Sequence, residues 1–411
     1  MPLLMPPDEL NAWIRLTLEP GIGPVQARHL LAAIGLPQEI FQQSTGQLLK
    51  WLPPALAGQL SAEPGADIQE QIERTLAWLD HPDHHILTLA DPAYPSGLLE
   101  THDPPPVLYV NGAPDLLNRP GIAIVGARHA TAGGMENARA FARHLALEGW
   151  NVVSGLASGI DTAAHEGALD TGSPAGSTIA VLGTGIDIVY PARNRSLAHR
   201  IAHAGALVSE FPLGCKALPH QFPRRNRIVA GLVQGVLVVE AALKSGSLIT
   251  ARHASEAGRD VFAIPGSIHS PLSKGCHALI RQGAKLVESG QDIIEELRSN
   301  PAAGVFTLPV PGPCRISAIQ NSHPQHDPVN TTPVALLKSE KPVRSHHRVI
   351  SAFHQKLLDA AGFDPVSIDV LIERTELDIV QINRILTELE LAGALQRLPD
   401  GRIQRLATPS C

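Results

Sequence analysis

The chain has 411 residues, of which 44% are hydrophobic and 18% charged, so it can bury the cores of two or three domains. The four cysteines are scattered without a Cys-x-x-Cys pair, and no apolar run is long enough to cross a bilayer. We therefore expect a reduced, cytoplasmic protein without a structural zinc site or a membrane span. The net charge of −6 hides an asymmetry, because residues 120–285 contain 16 Lys and Arg against 10 Asp and Glu, whereas the rest contains 17 against 29.

Residues 1–82 are predicted to form a small N-terminal helical domain. Apolar residues recur at helical spacing in segments 9–18, 23–34, 45–52 and 66–79. Residues 18–27 resemble the helix-hairpin-helix of SAM-like domains, whose glycine-rich hairpin offers backbone N–H groups to phosphate. The surrounding residues are acidic, so a purely structural domain is an equal alternative.

Residues 83–298 alternate β-rich runs with helical segments. The runs are 107–110, 122–125, 152–154, 178–182, 207–209, 236–239 and 261–264. Several of them are continuously apolar, as strands buried on both faces must be. This pattern predicts an α/β fold: an extended Rossmann-like core with a mainly parallel sheet.

Four of these runs end in glycine-containing turns that open helices. Helix N-termini carry free N–H groups and a partial positive charge, and ligands of open parallel sheets bind beyond the carboxyl ends of the strands. Several such turns side by side favour a ligand with repeating negative charge, such as a polynucleotide. The turns provide these candidate DNA-binding residues: Gly126, Arg128, Ser154, Gly155, Gly159, Lys244, Ser245, Gly246 and Lys274.

The densest basic cluster of the sequence is formed by residues 222–227. Three arginines in four residues, at the start of a predicted helix, suit contacts with phosphates and base edges. Aromatic residues account for only 4% of the chain, so the binding should depend mainly on phosphates. The alternative is a solvated face or internal salt bridges. The candidates are Phe222, Arg224, Arg225, Asn226 and Arg227.

Enzymatic alternatives have weaker signals. The first core strand is not followed by Gly-x-Gly-x-x-Gly, and no P-loop sequence is present, which disfavours a dinucleotide enzyme and an ATPase. Asp161 and His165 share a helix face and, with Glu210, would suit a small-nucleotide hydrolase on the same fold. The more common role of such an Asp–His pair is an interior hydrogen bond, and Glu210 can instead pair with an arginine. We predict no enzyme activity, no cofactor and no metal site.

The C-terminal part is divided into a linker and a small domain. Residues 299–347 are rich in Pro, Ser, Thr and His without periodicity, which predicts a flexible linker. Residues 348–411 have the pattern of a winged helix: three helical segments, the third capped by Asp378, and then a hairpin. Residues 346–411 hold 7 Lys and Arg against 9 Asp and Glu, which favours a protein contact over DNA reading.

Taken together, the motifs of residues 84–290 resemble the DNA-processing protein A (DprA, or Smf) family of bacteria. The motifs that carry the resemblance are Tyr94-Pro95, Ile124-Val125-Gly126-Ala127-Arg128, Ser154-Gly155-Leu156-Ala157-Ser158-Gly159-Ile160-Asp161, Tyr190-Pro191, Ser209-Glu210-Phe211-Pro212, Phe222-Pro223-Arg224-Arg225-Asn226-Arg227, Lys244-Ser245-Gly246-Ser247 and Pro265-Gly266. One departure is Ala127, where the family usually has Ser.

The resemblance implies a role in natural transformation. It implies a protein that binds incoming single-stranded DNA, protects it and loads the RecA recombinase onto it. Such proteins are homodimers through the Rossmann-like core and are not known as enzymes. The family's DNA pocket corresponds to Gly126, Arg128, Arg225, Asn226, Arg227, Lys244 and Ser245.

Overall fold

The structure is a computed structural model that describes residues 5–172, 177–299, 352–398 and 400–406. Residues 300–347, most of the predicted linker, lie outside the described residues. No helix in the described parts of the chain is long and apolar enough to span a bilayer.

Six helices form the N-terminal region: α1 (Pro7–Leu18), α2 (Pro24–Ile34), α3 (Pro37–Phe41), α4 (Thr45–Leu48), α5 (Pro54–Ser61) and α6 (Ala66–Leu79). Four of them begin with proline, whose fixed φ and missing N–H suit the first helical position. Trp13 of α1 is buried in one cluster with Tyr109 of the core. The helical region therefore packs directly against the edge of the sheet.

The described residues of the core form nine strands in one sheet. They are β1 (His84–Thr88), β2 (Val107–Gly112), β3 (Gly121–Val125), β4 (Asn151–Ser154), β5 (Thr178–Val181), β6 (Ala206–Ser209), β7 (Gly235–Val238), β8 (Asp260–Ala263) and β9 (Lys285–Leu286). Their spatial order is β1-β2-β6-β5-β4-β3-β7-β8-β9. Only β2 pairs antiparallel, with β1 and β6, and every other pairing is parallel. The predicted mainly parallel sheet is confirmed.

Helices cover both faces of this sheet. The core helices are α7 (Ser96–Leu99), α8 (Ala132–Leu147), α9 (Ile160–Leu169), α10 (Arg195–Ala204), α11 (Gln221–Gly231), α12 (Ser247–Glu256), α13 (Lys274–Arg281) and α14 (Gly290–Ser299). In β3, Ala123 and Val125 pack into the cluster beneath α11, α12 and α13, whereas Ile122 and Ile124 pack beneath α8, α9 and α14. Burial on both faces explains the continuous apolar runs in the sequence.

The strand order reverses at β3. From β3 the chain proceeds through β4, β5 and β6 on one side and returns to place β7, β8 and β9 on the other. The connections after β3 and β7 therefore diverge at the carboxyl edge of the sheet and leave a crevice, which is where open α/β sheets bind ligands.

The C-terminal domain has its own hydrophobic core. It consists of α15 (Ala352–Ala361), α16 (Ile368–Thr375), α17 (Ile379–Leu391) and the antiparallel pair β10 (Leu395–Arg397) and β11 (Ile403–Arg405). Asp378 caps α17 through bonds from the N–H groups of Val380 and Gln381. This arrangement confirms the predicted winged helix.

Candidate nucleic-acid interface

A cavity of about 210 Å³ opens in the crevice at the strand-order reversal. Residues after β3, after β4 and after β7 meet there with the first turns of α11 and α12. We call this cavity the crevice pocket. The predicted residues that line it are Gly126, Arg128, Phe222, Arg225, Asn226, Ser245 and Gly246, and the other lining residues are Val125, Ala157, Asp161, Pro223, Ser247 and Thr250.

Arg128 provides an exposed positive charge at the crevice pocket. Its guanidinium carbon lies 5.6 Å from the centroid of the Phe222 ring, within the range of a cation–π contact. Within the described parts of the chain, Arg128 forms no salt bridge with a carboxylate. An exposed guanidinium that lies over an aromatic ring and forms no salt bridge is suited to bind a phosphate.

Arg225 forms part of the floor of the same pocket and is only 5% exposed. It donates a hydrogen bond of 2.9 Å to the carbonyl oxygen of Gly155, and its Nε has no partner among the described residues. Burial lowers the pKa of Arg225 to about 10, while the charge of Asp161 raises it, so the side chain stays charged near neutral pH. A side chain at Gly155 would occupy the place of this guanidinium, since its Cβ would lie 1.4 Å from Nη1.

Asp161 fixes the turn after β4. Its Oδ2 accepts hydrogen bonds from the backbone N–H groups of Gly155 at 3.1 Å and Ala157 at 3.3 Å. Burial raises the pKa of this carboxyl, and Arg225 lowers it. Gly159, with φ of +78°, closes the turn against the Ala127 carbonyl, where a side chain would collide. The N–H groups that we expected to face phosphate here therefore already bind a carboxylate of the chain.

Ser154, also a candidate, does not reach the crevice pocket. Its side chain is fully buried and donates a hydrogen bond of 2.7 Å to the carbonyl oxygen of Ile124. The hydroxyl thus links β4 to β3 inside the sheet.

The N-terminus of α8 is also occupied by an acidic side chain. Glu240, which follows β7, accepts hydrogen bonds from the Thr131 N–H at 2.9 Å and from the Thr131 hydroxyl at 2.6 Å. A carboxylate at this position neutralises the positive end of the helix dipole. The sequence pattern suggested a phosphate site at this helix, but the structure places an internal anion there.

The N-terminus of α12 is different, because it has no acidic residue in its first turn. The hydroxyls of Ser245 and Ser247 lie 2.6 Å apart at this end of the helix, and both residues line the crevice pocket. Asn226 donates a hydrogen bond of 3.3 Å to the Gly246 carbonyl. Lys244 is exposed directly before this turn. Of the helix ends expected to bind phosphate, the α12 end lies at the crevice pocket without an acidic residue, and its Ser247 N–H donates a hydrogen bond of 3.3 Å to the Ser245 hydroxyl.

Two arginines of the predicted cluster pair with acidic residues instead. Arg227 is buried and forms ion pairs with Glu210 and with Asp103. Arg224 is half exposed, and its guanidinium binds Glu210 at 3.0 Å. The expectation that Arg227 faces DNA is not met by this geometry, whereas the alternative that Glu210 pairs with an arginine is confirmed.

Lys274 lies at the start of α13 and is not among the residues that line the crevice pocket. It is exposed, and its ammonium group donates a hydrogen bond of 2.5 Å to the Ile268 carbonyl. This bond ties the ammonium group to the loop that follows β8.

His165 and Asp161 do not bond to each other. His165 is fully buried, and its Nδ1 lies 2.7 Å from the hydroxyl of Thr178, which itself donates to the Val152 carbonyl. The Thr178 hydroxyl therefore accepts a hydrogen bond from Nδ1–H of His165, and burial lowers the pKa of His165 to about 3. A neutral, fully enclosed imidazole cannot exchange protons with a substrate in the pocket. No cluster of three or more metal-binding side chains occurs among the described residues.

Comparison with known proteins identifies the family. The sequence profile described as DNA recombination-mediator protein A matches residues 85–298, and that of the DprA winged helix domain matches residues 348–401. Protein Smf of Escherichia coli (strain K12) is 41% identical over 337 residues, which are 82% of this chain and 81% of that protein. This chain belongs to the DNA recombination-mediator protein A family.

Two further relatives support the same assignment. The DNA processing protein DprA of Streptococcus pneumoniae (strain ATCC BAA-255 / R6) is 49% identical over 209 residues, 51% of this chain and 73% of that protein. The X-ray structure of DNA processing protein A (DprA) from Streptococcus pneumoniae covers 70% of this chain and 97% of that chain, with 39% identity and a TM-score of 0.56. The resemblance found in the sequence is confirmed, and the chain is a member of a family of DNA-processing proteins.

One aromatic residue in a family motif received no role from the sequence. Tyr190 lies in the connection after β5, and its ring centroid is 5.4 Å from that of Phe222. Its place beside Phe222 depends on the path of residues 182–191, the connection that follows β5. In the sequence, the one local indication of a turn at Tyr190 is the proline that follows it, since proline is common in turns.

Proposed function

We propose that this protein binds single-stranded DNA in the crevice pocket, protects incoming DNA during natural transformation and delivers it to the RecA recombinase. The observation that carries the proposal is the position of the exposed Arg128, over the Phe222 ring, beside the N-terminus of α12, which has no acidic residue in its first turn. Arg128 binds phosphate by charge, and the α12 end binds it through the hydroxyls of Ser245 and Ser247 and the positive end of the helix dipole. Phe222 adds a surface on which a base can stack.

The dimensions of the site favour a single strand over a duplex. The cavity of about 210 Å³ is recessed between α11 and α12, so a base must leave its stack to enter it. Bases of a single strand are already free to do so, whereas a duplex would have to be opened first.

The proposal includes a non-catalytic role. The acidic and imidazole groups that would serve a nucleotide hydrolase are occupied: Asp161 by two backbone N–H groups, His165 by Thr178 and Glu210 by two arginines. Incubation with nucleoside monophosphates should therefore release no free base, and turnover would support the hydrolase instead.

The RecA contact and a homodimer through the Rossmann-like core are proposed from the family resemblance. Sedimentation of the full chain should yield twice the mass of 43.7 kDa. Faster assembly of RecA on DNA already coated by a single-strand-binding protein, in the presence of this chain, would test the loading role.

The DNA site is tested by removing the exposed charge of Arg128 in the pocket and that of Lys244 directly before the turn that leads into α12. We expect Arg128→Ala/Lys244→Ala to weaken binding of a single-stranded oligonucleotide equally for different sequences. The slope of log affinity against log salt should fall by about 1.4, since each lost contact to a single strand contributes roughly 0.7. Fluorescence anisotropy at several salt concentrations measures both quantities.

A matched control removes two other exposed charges. Lys50 lies in the helical domain and Arg143 on α8, and neither lines the crevice pocket. Lys50→Ala/Arg143→Ala should leave the slope unchanged. If the wild type and the Arg128/Lys244 variant had equal salt slopes, the DNA would not be bound at the crevice pocket.

A further inference from the structure

The aromatic side chains at the mouth of the crevice pocket carry an inference that rests on the proposed function. We propose that Tyr190 is a base-stacking residue, which holds the base next to the phosphate bound by Arg128. Its ring is 49% exposed and lies 5.4 Å from the Phe222 ring at an interplanar angle of 44°. The two rings are therefore tilted against each other, and the Tyr190 ring keeps apolar surface open to solvent.

The Phe222 ring is fixed and partly covered. It lies against Gly183, where a Cβ would approach Phe222 Cδ1 to 2.9 Å. The Arg128 guanidinium lies over the same ring. Since Phe222 is half-buried and already has a cationic neighbour, most of the free aromatic surface at this mouth belongs to Tyr190.

The exposure of Tyr190 is not required by the core. The described structure places Tyr190 outside the buried hydrophobic clusters, with Val189 packed against one of them in its stead. Leaving half of a large ring in water forgoes the free energy of burial that the residue could contribute. A base stacked on the ring would bury that surface, and any of the four bases can do so because each has a π-face.

Stacking and charge contacts have different signatures, so the two can be separated. Tyr190 carries no charge and releases no counterion, and its loss should leave the salt slope intact. Alanine substitution of a stacking ring costs about tenfold in affinity when one base is involved. The loss must disappear when the DNA has no bases to stack.

The experiment compares two oligonucleotides of equal length, a homopolymer of thymidine and the same backbone with abasic sites. We expect Tyr190→Ala of the full chain to bind the homopolymer about tenfold more weakly than the wild type, with an unchanged salt slope. Tyr190→Phe should restore the affinity. On the abasic oligonucleotide, the wild type and Tyr190→Ala should bind equally.

Controls decide the remaining outcomes. Trp51 is another exposed ring, 53% accessible on the helical domain, and Trp51→Ala should bind as the wild type does. Tyr190→Leu keeps a branched apolar side chain without a π-face, and an affinity equal to that of Tyr190→Ala supports stacking, whereas full affinity overturns it. An equal loss on both oligonucleotides, or no loss on either, also overturns the role of Tyr190. If the wild type itself bound neither oligonucleotide, the proposed function would fail first.

Discussion

The three arginines of residues 224–227 differ in burial and in the groups that they bind. Arg227 is enclosed by Glu210 and Asp103, Arg225 is buried against the Gly155 carbonyl, and Arg224 is half exposed beside Glu210. Arg128, far away in the chain, lines the pocket, is exposed and forms no salt bridge within the described structure. Burial and the nearest carboxylate, rather than local sequence density, therefore decide which arginines can bind phosphate.

The buried ion pair leads to a prediction at Arg227. Arg227→Ala should lower the free energy of unfolding by on the order of 3 kcal/mol, because it leaves the buried Glu210 carboxylate with less compensation. Its salt slope for DNA binding should remain that of the wild type. Denaturant unfolding provides the first measurement and anisotropy the second. The control is Arg224→Ala, which removes a half-exposed partner of the same carboxylate and should cost about 1 kcal/mol or less.

The Arg227→Ala variant should also have a distinct pH dependence. Burial raises the pKa of Glu210 in the folded protein, and Arg227 opposes that rise, so the pKa in the variant rises further above its unfolded value. The native state then holds more protons than the unfolded state between these two pKa values, and stability falls as pH rises through that window. The deficit relative to the wild type should shrink toward pH 4, and a deficit that grows on acidification would contradict the buried-carboxylate account.

Among the elements, the helix N-termini at the carboxyl edge of the sheet are not equivalent. The α8 end binds Glu240 and the turn before α9 binds Asp161, whereas α12 has no acidic residue in its first turn. The internal carboxylates satisfy N–H groups at the first two of these ends, so of the three the α12 end is the one at the crevice pocket without a carboxylate. Binding is thereby concentrated on the side of the crevice where Arg128 and Phe222 lie.

The Glu240 contact predicts a stability effect confined to α8. Glu240→Ala should lower the free energy of unfolding by about 1–2 kcal/mol, since the Thr131 N–H and hydroxyl lose their acceptor. Glu240→Gln retains an acceptor and should lose only the dipole interaction, typically 0.3–1 kcal/mol. Thermal unfolding of the two variants gives the comparison. Equal losses would show that charge alone matters at this helix end.

The sequence predicted the strands of the core but not the long-range contacts between side chains. Continuous apolar runs placed β3, β4 and β7, and parallel pairing then brought Gly126, Arg128 and Ser245 to one edge. The ion pair of Arg227 with Asp103 and the bond of Glu240 to Thr131 join residues more than a hundred positions apart. Local patterns hold no information on such partners, so the buried arginines could not be told from the exposed one.

In the whole molecule, the crevice pocket belongs to the core, and neither the helical region nor the winged helix lines it. Its lining residues all come from the core. The winged helix has a separate hydrophobic cluster, and its polar contact with the core includes one ion pair, Arg374 to Glu136 at 2.8 Å, in which Glu136 is largely exposed. Exposed ion pairs contribute little to stability. We therefore expect that removal of the domain leaves the fold that forms the pocket intact.

This separation predicts the behaviour of a chain of residues 1–299. We expect it to bind a single-stranded oligonucleotide within about twofold of the full chain, because every group in the crevice pocket is retained and the winged helix is slightly acidic. Introducing Arg128→Ala into both chains should cause the same loss, which shows that the same pocket is measured. A tenfold weaker affinity of the shortened chain, about 1.4 kcal/mol, would mean that the winged helix contacts the strand after it leaves the crevice.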